Sequence, residues 1–286
     1  MMVRAAGLAT IRAGVTGRRN IVAAVLVTAV CATAAAHPAK TVANRMLLVA
    51  TAATYPPNEF IRPNGHAVLG MDPQIVRALA ALMGMPVKIV NVRFDAIIPG
   101  VASGKYDLGM SSITDTRARE KVVDFVTYFS AGTSFYVKTN AGPDIASLAQ
   151  LCGRTVAVVS GTTQTADAER QTAACRKAGK EDVTVAVFPD HLSAYIALES
   201  SNDAVGMADS PVAAYIVRQS HGRLELTGKP YGTAPYGIAL SKGSRMAKPV
   251  LDGLKKLMAD GTYRAILTRW GNRSGAITNP TINGTG

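Results

Sequence analysis

Cysteine is scarce in this 286-residue chain, with three residues at positions 31, 152 and 175. Histidine is nearly as rare: His37, His66, His191 and His221 show no metal-ligand spacing, and no third ligand stands near Cys152 or Cys175. The sequence therefore offers no metal site and no cofactor motif. Aromatic residues make up only 6% and do not interleave with basic clusters, so a net charge of +12 does not amount to a nucleic-acid surface. The only long apolar run is Ile21–Val30, too short for a confident membrane span, and nothing beyond it is long enough to cross a bilayer. Internal repeats and low-complexity segments are also missing.

What is present begins with an export pattern. Arg4, Arg12, Arg18 and Arg19 precede the apolar run without an intervening acid, and the small residues Ala34-Ala35-Ala36 follow it. These are the charged, apolar and cleavage regions of a signal peptide, residues 1–36. Arg18-Arg19 is also where a twin-arginine signal would sit, but its neighbours fit poorly. Cys31 is read as part of the signal rather than a lipid-modified residue, because Val30 is large for the position before such a cysteine. Of the 31 Lys and Arg, these four leave with the signal; 27 against 19 acids leaves +8. The roughly 250 exported residues suffice for one large domain or two small ones. Cys152 and Cys175 form an even pair outside the cytoplasm, so a disulfide is expected, with two free buried thiols as the alternative.

From Met46 onward, strand and helix patterns alternate, the rhythm of an α/β fold. Asp72-Pro73 reads as a helix start with Asp72 as N-cap, Ile75, Val76, Leu79, Leu82 and Met83 on one face, and Gly84 as the stop. Residues 111–125, SSITDTRAREKVVDF, read as a strand end running into a short helical pattern that closes on Val122, Val123 and Phe125. A strand is expected at Phe135–Lys138, helices at Ile145–Leu151, from Ser160 to about Ala178, at His191–Ser200 and at Pro211–Gln219, and a strand at Ala204–Ala208 ending at Asp209. Turn-rich stretches near 139–143 and 227–235 suggest two domain crossings, at 139–142 and 229–234. They divide the chain into one discontinuous lobe, 44–138 plus 235–271, a second lobe, 143–228, and a loose polar tail, 272–286.

Ligands of open α/β sheets sit where strands end and helices begin. Five such ends carry equipment here: Tyr55; Phe94; Ser111, Ser112, Thr114 and Arg119; Gly161, Thr163 and Gln164; and Asp209. Two aromatic faces, a guanidinium, hydroxyls, amides and a carboxylate suit a zwitterion, with Arg119 taking its carboxylate and Asp209 its ammonium. The competing reading makes Arg117, Arg119 and Glu120 a solvated helix face capped by Thr116. It makes Tyr55 and Phe94 core aromatics, Asp209 an N-cap and Gly161 a turn residue. Glu59 is read as structural or at the rim, and Trp270 as packing.

Five segments in order, TYPPNEF (54–60), FDAIIPGVASGKYDLGMSSITDTRAREKVVDF (94–125), SGTTQ (160–164), DAVGMADSP (203–211) and DGTYRAILTRWG (260–271), resemble the extracellular solute-binding proteins of family 3, the polar amino-acid receptors of ABC importers. The likeness covers about residues 46 to 271. It implies a two-lobed type II periplasmic-binding fold: two doubly wound sheets, a two-strand hinge and a ligand in the interlobe cleft. By that resemblance Arg119 clamps the α-carboxylate with Thr114 and Ser112 beside it, and Thr163 contributes an amide from the opposite lobe. Asp209 receives the ammonium, and Tyr55 and Phe94 wall the side chain. Receptors for cationic amino acids often carry an acid three residues before the first aromatic. Ala52 stands there, so a neutral or acidic amino acid is expected. The implied protein is a monomeric receptor, not an enzyme, that delivers its cargo to a membrane permease.

Two rivals stand beside it. A dehydratase acting on cyclic carboxylates uses the same fold but needs a positioned acid or base, and the cleft loops offer none beyond Asp209. A sensory ligand-binding domain would be joined to a membrane span and a signalling module, and neither precedes Gly286.

Overall fold

The computed structural model describes residues 45–201 and 204–284. The expected signal segment 1–36, including Cys31, lies outside the described residues. The strands are, in chain order, β1 (Leu47–Thr51), β2 (Thr54–Tyr55), β3 (Glu59–Ile61), β4 (Val68–Leu69), β5 (Val87–Asn91), β6 (Leu108–Gly109), β7 (Val123–Lys138), β8 (Thr155–Val159), β9 (Thr184–Phe188), β10 (Ala204–Asp209) and β11 (Leu224–Ser241). The helices are α1 (Met71–Leu82), α2 (Ile97–Ala102), α3 (Arg117–Glu120), α4 (Thr163–Lys177), α5 (His191–Glu199), α6 (Ser210–Gln219), α7 (Ala247–Ala259) and α8 (Thr262–Arg269).

One hydrogen-bonded sheet runs β5-β1-β6-β11-β7-β10-β8-β9, and β2-β3-β4 make a small second sheet. Pairing is parallel within each half (β5-β1-β6 and β10-β8-β9) and antiparallel through the central β11-β7 pair. The two half-sheets thus share two long strands. The apolar core divides at the same place. On one side α1, α7 and α8 bury Ile75, Leu79, Val250, Leu254 and Leu267 against Leu47, Leu108 and Tyr128, while α2 covers the other face with Ile97 and Val101. On the other side Phe135, Val156, Val158, Val205 and Met207 pack with Ala168 and Cys175 of α4, and Val212 and Ala213 of α6 pack with Tyr136 and Leu224. Each large aliphatic side chain so buried contributes roughly 1.5–3 kcal/mol. Cys152 and Cys175 are joined by a disulfide that ties α4 to the turn before β8.

Local sequence explains most helix boundaries. α1 buries Ile75, Val76 and Leu79 in the expected i, i+3/i+4 stripe. It ends just before Gly84, whose φ of 64° suits a residue without a side chain. Its N-cap is Gly70, not Asp72. Asp72 sits inside the first turn, where its carboxylate is buried rather than capping. Thr162 caps α4 and Asp190 caps α5 through side-chain oxygens that accept from Thr165 and Ser193 N–H groups.

The structure corrects three other expectations. The helical pattern expected to close on Val122, Val123 and Phe125 stops at Glu120, and Val123 instead opens β7, which runs unbroken to Lys138. β-branched and aromatic residues there are buried on both faces, which a sheet covered on both sides favours. The stretch 227–235 is not a free turn but the irregular centre of β11. Gly228 and Gly232 take positive φ, Pro230 has no N–H, and the register slips between Thr227 and Tyr231 and again before Ala234. Beyond Gly271 the tail is not loose: Ile282 bridges to Val126, and Gly284 N–H donates to the Asp115 carboxylate at 2.8 Å.

Thr133–Tyr136 of β7 pair with β10, whereas Phe125 to Ser130 pair with the part of β11 next to β6. The two long strands stay paired with each other throughout, but their outer neighbours change near Gly132, β10 flanking β7 on one side of it and β6 flanking β11 on the other; a Cβ at Gly132 would lie 2.8 Å from the Tyr231 carbonyl oxygen. Residues 139–142 form the turn that follows β7, with Gly142 N–H donating to the Lys138 carbonyl.

Candidate functional site

The ends of β1, β5, β6, β8 and β10 converge on a cavity of about 310 Å³ between the two halves of the sheet. Tyr55, Phe94, Ser111, Ser112, Thr114, Arg119, Thr163, Gln164 and Asp209 all line it. Gly161 does not, but its carbonyl oxygen accepts a bond from the Arg119 guanidinium.

Arg119 lies in α3, a single turn capped by Thr116, whose hydroxyl accepts the Arg119 N–H at 3.2 Å. The cap is therefore as the competing reading had it, but the side chain is not on a solvated face. Its Nη1 donates to the Thr114 carbonyl at 2.7 Å, its Nη2 donates to the Gly161 carbonyl at 2.9 Å, and the guanidinium lies 5.6 Å from the centre of the Phe94 ring. Burial pulls its pKa down to about 10, opposed by Asp209 and Asp115, so it stays charged at neutral pH. With α3 so short, the guanidinium and not a helix dipole supplies the positive charge.

Asp209 ends β10 at the N-cap position of α6, yet its side chain makes no cap bond. It accepts instead from Gln164 Nε2 at 2.8 Å, and the same Nε2 donates to Thr133 at 3.0 Å. Burial raises the Asp209 pKa, with the nearby Tyr236 and Tyr55 hydroxyls, the Gln164 hydrogen bond and the charge of Arg119 pulling the other way. Thr163 opens α4 and is half-buried. Gly161 has φ 78°, and a Cβ there would lie 3.0 Å from Asp95 Cβ.

Tyr55 is both core and wall. It packs among Tyr136, Leu198 and Val212 of the far half, and its hydroxyl accepts the Asp209 N–H at 2.8 Å. Ser111 and Ser112 are buried and already engaged. Ser111 Oγ accepts the Ala52 N–H and donates to Glu59, and Ser112 Oγ accepts from Asn58 and donates to Glu59 or Asp72.

Sequence reasoning missed two participants, His191 and Ser160, and placed a third, Glu59, only as structural or at the rim. His191 stacks on Tyr55 with ring centroids 4.1 Å apart, and burial pushes its pKa down to about 3. It follows β9, a sixth strand end that the same rule would have flagged. Glu59 reaches the cavity wall and so does Asp190, so the cleft holds a histidine and two acids besides Asp209. Ser160 donates to Asp95 at 3.0 Å, a further bond between the halves of the sheet beside those of Arg119 with Gly161 and of Asp209 with Tyr55. No group of His, Cys, Asp or Glu among the described residues is placed to hold a metal ion.

Residues 47–273 match the model of the bacterial extracellular solute-binding proteins, family 3. The chain belongs to this family. Its architecture is accordingly the two-lobed type II periplasmic-binding fold, and the cavity is the cleft between the lobes. Among relatives of this solute-binding protein, the arginine-binding protein ArgT of Corynebacterium glutamicum is 32% identical over 80% of this chain and 75% of its own. The ABC transporter glutamine-binding protein GlnH of Bacillus subtilis is 31% identical over 73% of this chain and 74% of its own. A solved structure of an ancestral arginine-binding protein bound to glutamine superposes with a TM-score of 0.72 at 32% identity, covering 79% of this chain and 98% of its own. No helix among the described residues is long and apolar enough to cross a membrane.

Proposed function

We propose that this chain is the exported substrate-binding component of an ABC amino-acid importer. It captures a free amino acid by closing two lobes around it and hands it to a membrane permease as a monomeric receptor, not as an enzyme. The observation that carries this reading is the placing of a cation and an anion, Arg119 and Asp209, on the walls of one cavity, each supplied by a different half of the sheet. Arg119 and Thr114 hold the α-carboxylate, Asp209 the α-ammonium and Thr163 a carboxylate oxygen through its backbone, while Tyr55 and Phe94 flank the side chain. The lobes hinge where the outer neighbours of β7 and β11 change, near Gly132 and Tyr231. Differential affinity for the closed form drives closure. A charge-assisted bond contributes about 1.5–3 kcal/mol net, so two such grips supply much of the roughly −8 kcal/mol of a micromolar complex.

The cargo is a neutral or acidic amino acid. Ala52 supplies no acid at the side-chain end, and the three acids that line the cavity already have partners. Glu59 takes two serines, Asp190 caps α5, and Asp209 is paired with Gln164. Arg93, on the same wall, is itself paired with Asp95. A thermal-shift screen of the common amino acids tests this directly, because a ligand at a hundredfold excess over its Kd stabilises the protein by about 2.7 kcal/mol. Glutamine or glutamate should shift the midpoint and lysine should not; a shift by cationic amino acids alone would reverse the assigned preference.

A further inference from the structure

Behind the cleft, two carboxyl groups are buried together with no cation between them. Glu59 is 1% exposed and Asp72 is fully buried. They meet because the α1 entry is strapped to the 57–59 segment. Met71 N–H donates to the Pro57 carbonyl, Asp72 N–H donates to the Asn58 carbonyl, and at Gly70 a Cβ would fall 2.1 Å from the Asn58 carbonyl oxygen.

The hydrogen bonds can be counted atom by atom. Glu59 Oε1 accepts from Ser111 Oγ at 2.9 Å and Oε2 from Ser112 Oγ at 3.1 Å. Asp72 Oδ2 accepts from the Ser112 N–H at 2.7 Å and from the Tyr128 hydroxyl at 2.7 Å. Asp72 Oδ1 is buried and has no donor among the N–H and hydroxyl groups around it. The Ser112 hydroxyl stands between the two groups, 3.1 Å from Glu59 Oε2 and 3.4 Å from Asp72 Oδ2. A buried carboxylate oxygen without a donor is costly, and the neighbouring acid can serve it only if it carries a proton, because a carboxylate has nothing to donate. Two ionised carboxyls with no cation would also leave an uncompensated buried charge.

We infer that Glu59 and Asp72 share one proton at neutral pH, Glu59 donating it to Asp72 Oδ1, and that this carboxyl pair is the positioning device for the Ser111-Ser112 turn in the cleft wall. Ser112 holds a left-handed φ of 49°, and the pair anchors its N–H and its hydroxyl together. Burial and then the charge of Asp72 hold the Glu59 proton well above the ordinary carboxyl range; burial also raises Asp72, to about 6, with the Tyr128 and Ser112 hydrogen bonds opposing that rise. The titratable groups facing the pair are Tyr128 from β7 and Tyr55 from β2, both neutral at neutral pH because burial raises them. The importance of the turn to binding rests on the amino-acid reading above. The proton and the anchoring do not, and they are measured without ligand.

The experiment uses the ligand-free mature protein, its Glu59→Gln and Glu59→Ala variants, infrared spectroscopy and amide hydrogen exchange. At mildly alkaline pH the wild type should show a protonated-carboxyl band that Glu59→Gln removes. The Ser112 amide should exchange at least tenfold faster in Glu59→Ala. Glu59→Gln should restore protection, since its N–H reaches Asp72 Oδ1 and the Ser112 hydroxyl can turn to Asp72. Stability of the wild type should fall as pH rises above the ordinary glutamate value, because the folded chain keeps a proton the unfolded chain releases, and Glu59→Gln should flatten that slope. A band unchanged by Glu59→Gln, or a Gln variant no better protected than Ala, would overturn the inference. A failed amino-acid screen would refute the receptor reading and leave these results standing.

Discussion

Arg119 and Gly161 meet across the cleft: Nη2 of one donates to the carbonyl of the other at 2.9 Å. One guanidinium thus grips its own lobe at Thr114, touches the opposite lobe at Gly161 and faces the cavity between them. Arg119→Ala should remove the carboxylate clamp and the cross-lobe bond together. The expected loss is about 3 kcal/mol or more, roughly a hundredfold in Kd or beyond. Arg119→Lys should recover only part of it, because an ammonium cannot reproduce the planar fork. Calorimetric titration with the amino acid found by the screen measures both.

Gly161 gives a second test of closure. Its φ of 78°, and the 3.0 Å that would separate a Cβ at this position from Asp95, leave no room for a side chain when the lobes are together. Gly161→Val should weaken binding at least tenfold and reduce the compaction seen by small-angle scattering on ligand addition. Full compaction with normal affinity would show that this contact does not belong to the closed form.

Asp209 makes a prediction about pH. In the proposed receptor its anionic form holds the ammonium, and burial raises its pKa above the ordinary 3.8. Affinity should therefore begin to fall at a higher pH than an exposed aspartate would dictate. Asp209→Asn should abolish both the affinity and its acid dependence. Because a raised pKa means that folding disfavours the charge, stability from this group is lost as pH rises through its folded value. The ligand-free Asn variant should thus melt no lower than the wild type at neutral pH.

The Cys152–Cys175 link closes a loop with a sequence separation of 23. Its loss should destabilise the protein by about 3 kcal/mol. Denaturation with and without reductant, and of a Cys152→Ala/Cys175→Ala pair, measures this. Cys175 packs in the core of the second half-sheet and lies off the cavity lining, so ligand affinity should persist below the lowered midpoint.

The legible parts of this chain are those with local causes. Caps and stops fix α1, α4, α5 and α6 within a few residues, and the strand-end rule locates Arg119, Asp209, Tyr55 and Phe94. The two long strands are illegible for a physical reason. Gly228, Pro230 and Gly232 look like punctuation, yet β11 tolerates them because its partner β7 stays paired on both sides of the irregular stretch. Asp72 reads as a cap because its burial partner, Glu59, comes from another element and carries no local signal. Ser111 and Ser112 read as hydroxyls offered to a ligand, but they spend them on Glu59. His191 stands at a strand end in plain view, and weighing it only as a metal ligand hides its place against Tyr55.

The central claim is that Arg119 and Asp209 grip the two ends of a free amino acid. Calorimetric titration at neutral pH with the common amino acids, and with the N-acetyl and carboxamide derivatives of the best one, tests it most directly. At least one neutral or acidic amino acid should bind with micromolar or tighter affinity, and blocking either the amine or the carboxylate should weaken it at least a hundredfold. If no free amino acid binds, or if the blocked derivatives bind equally well, the account is wrong.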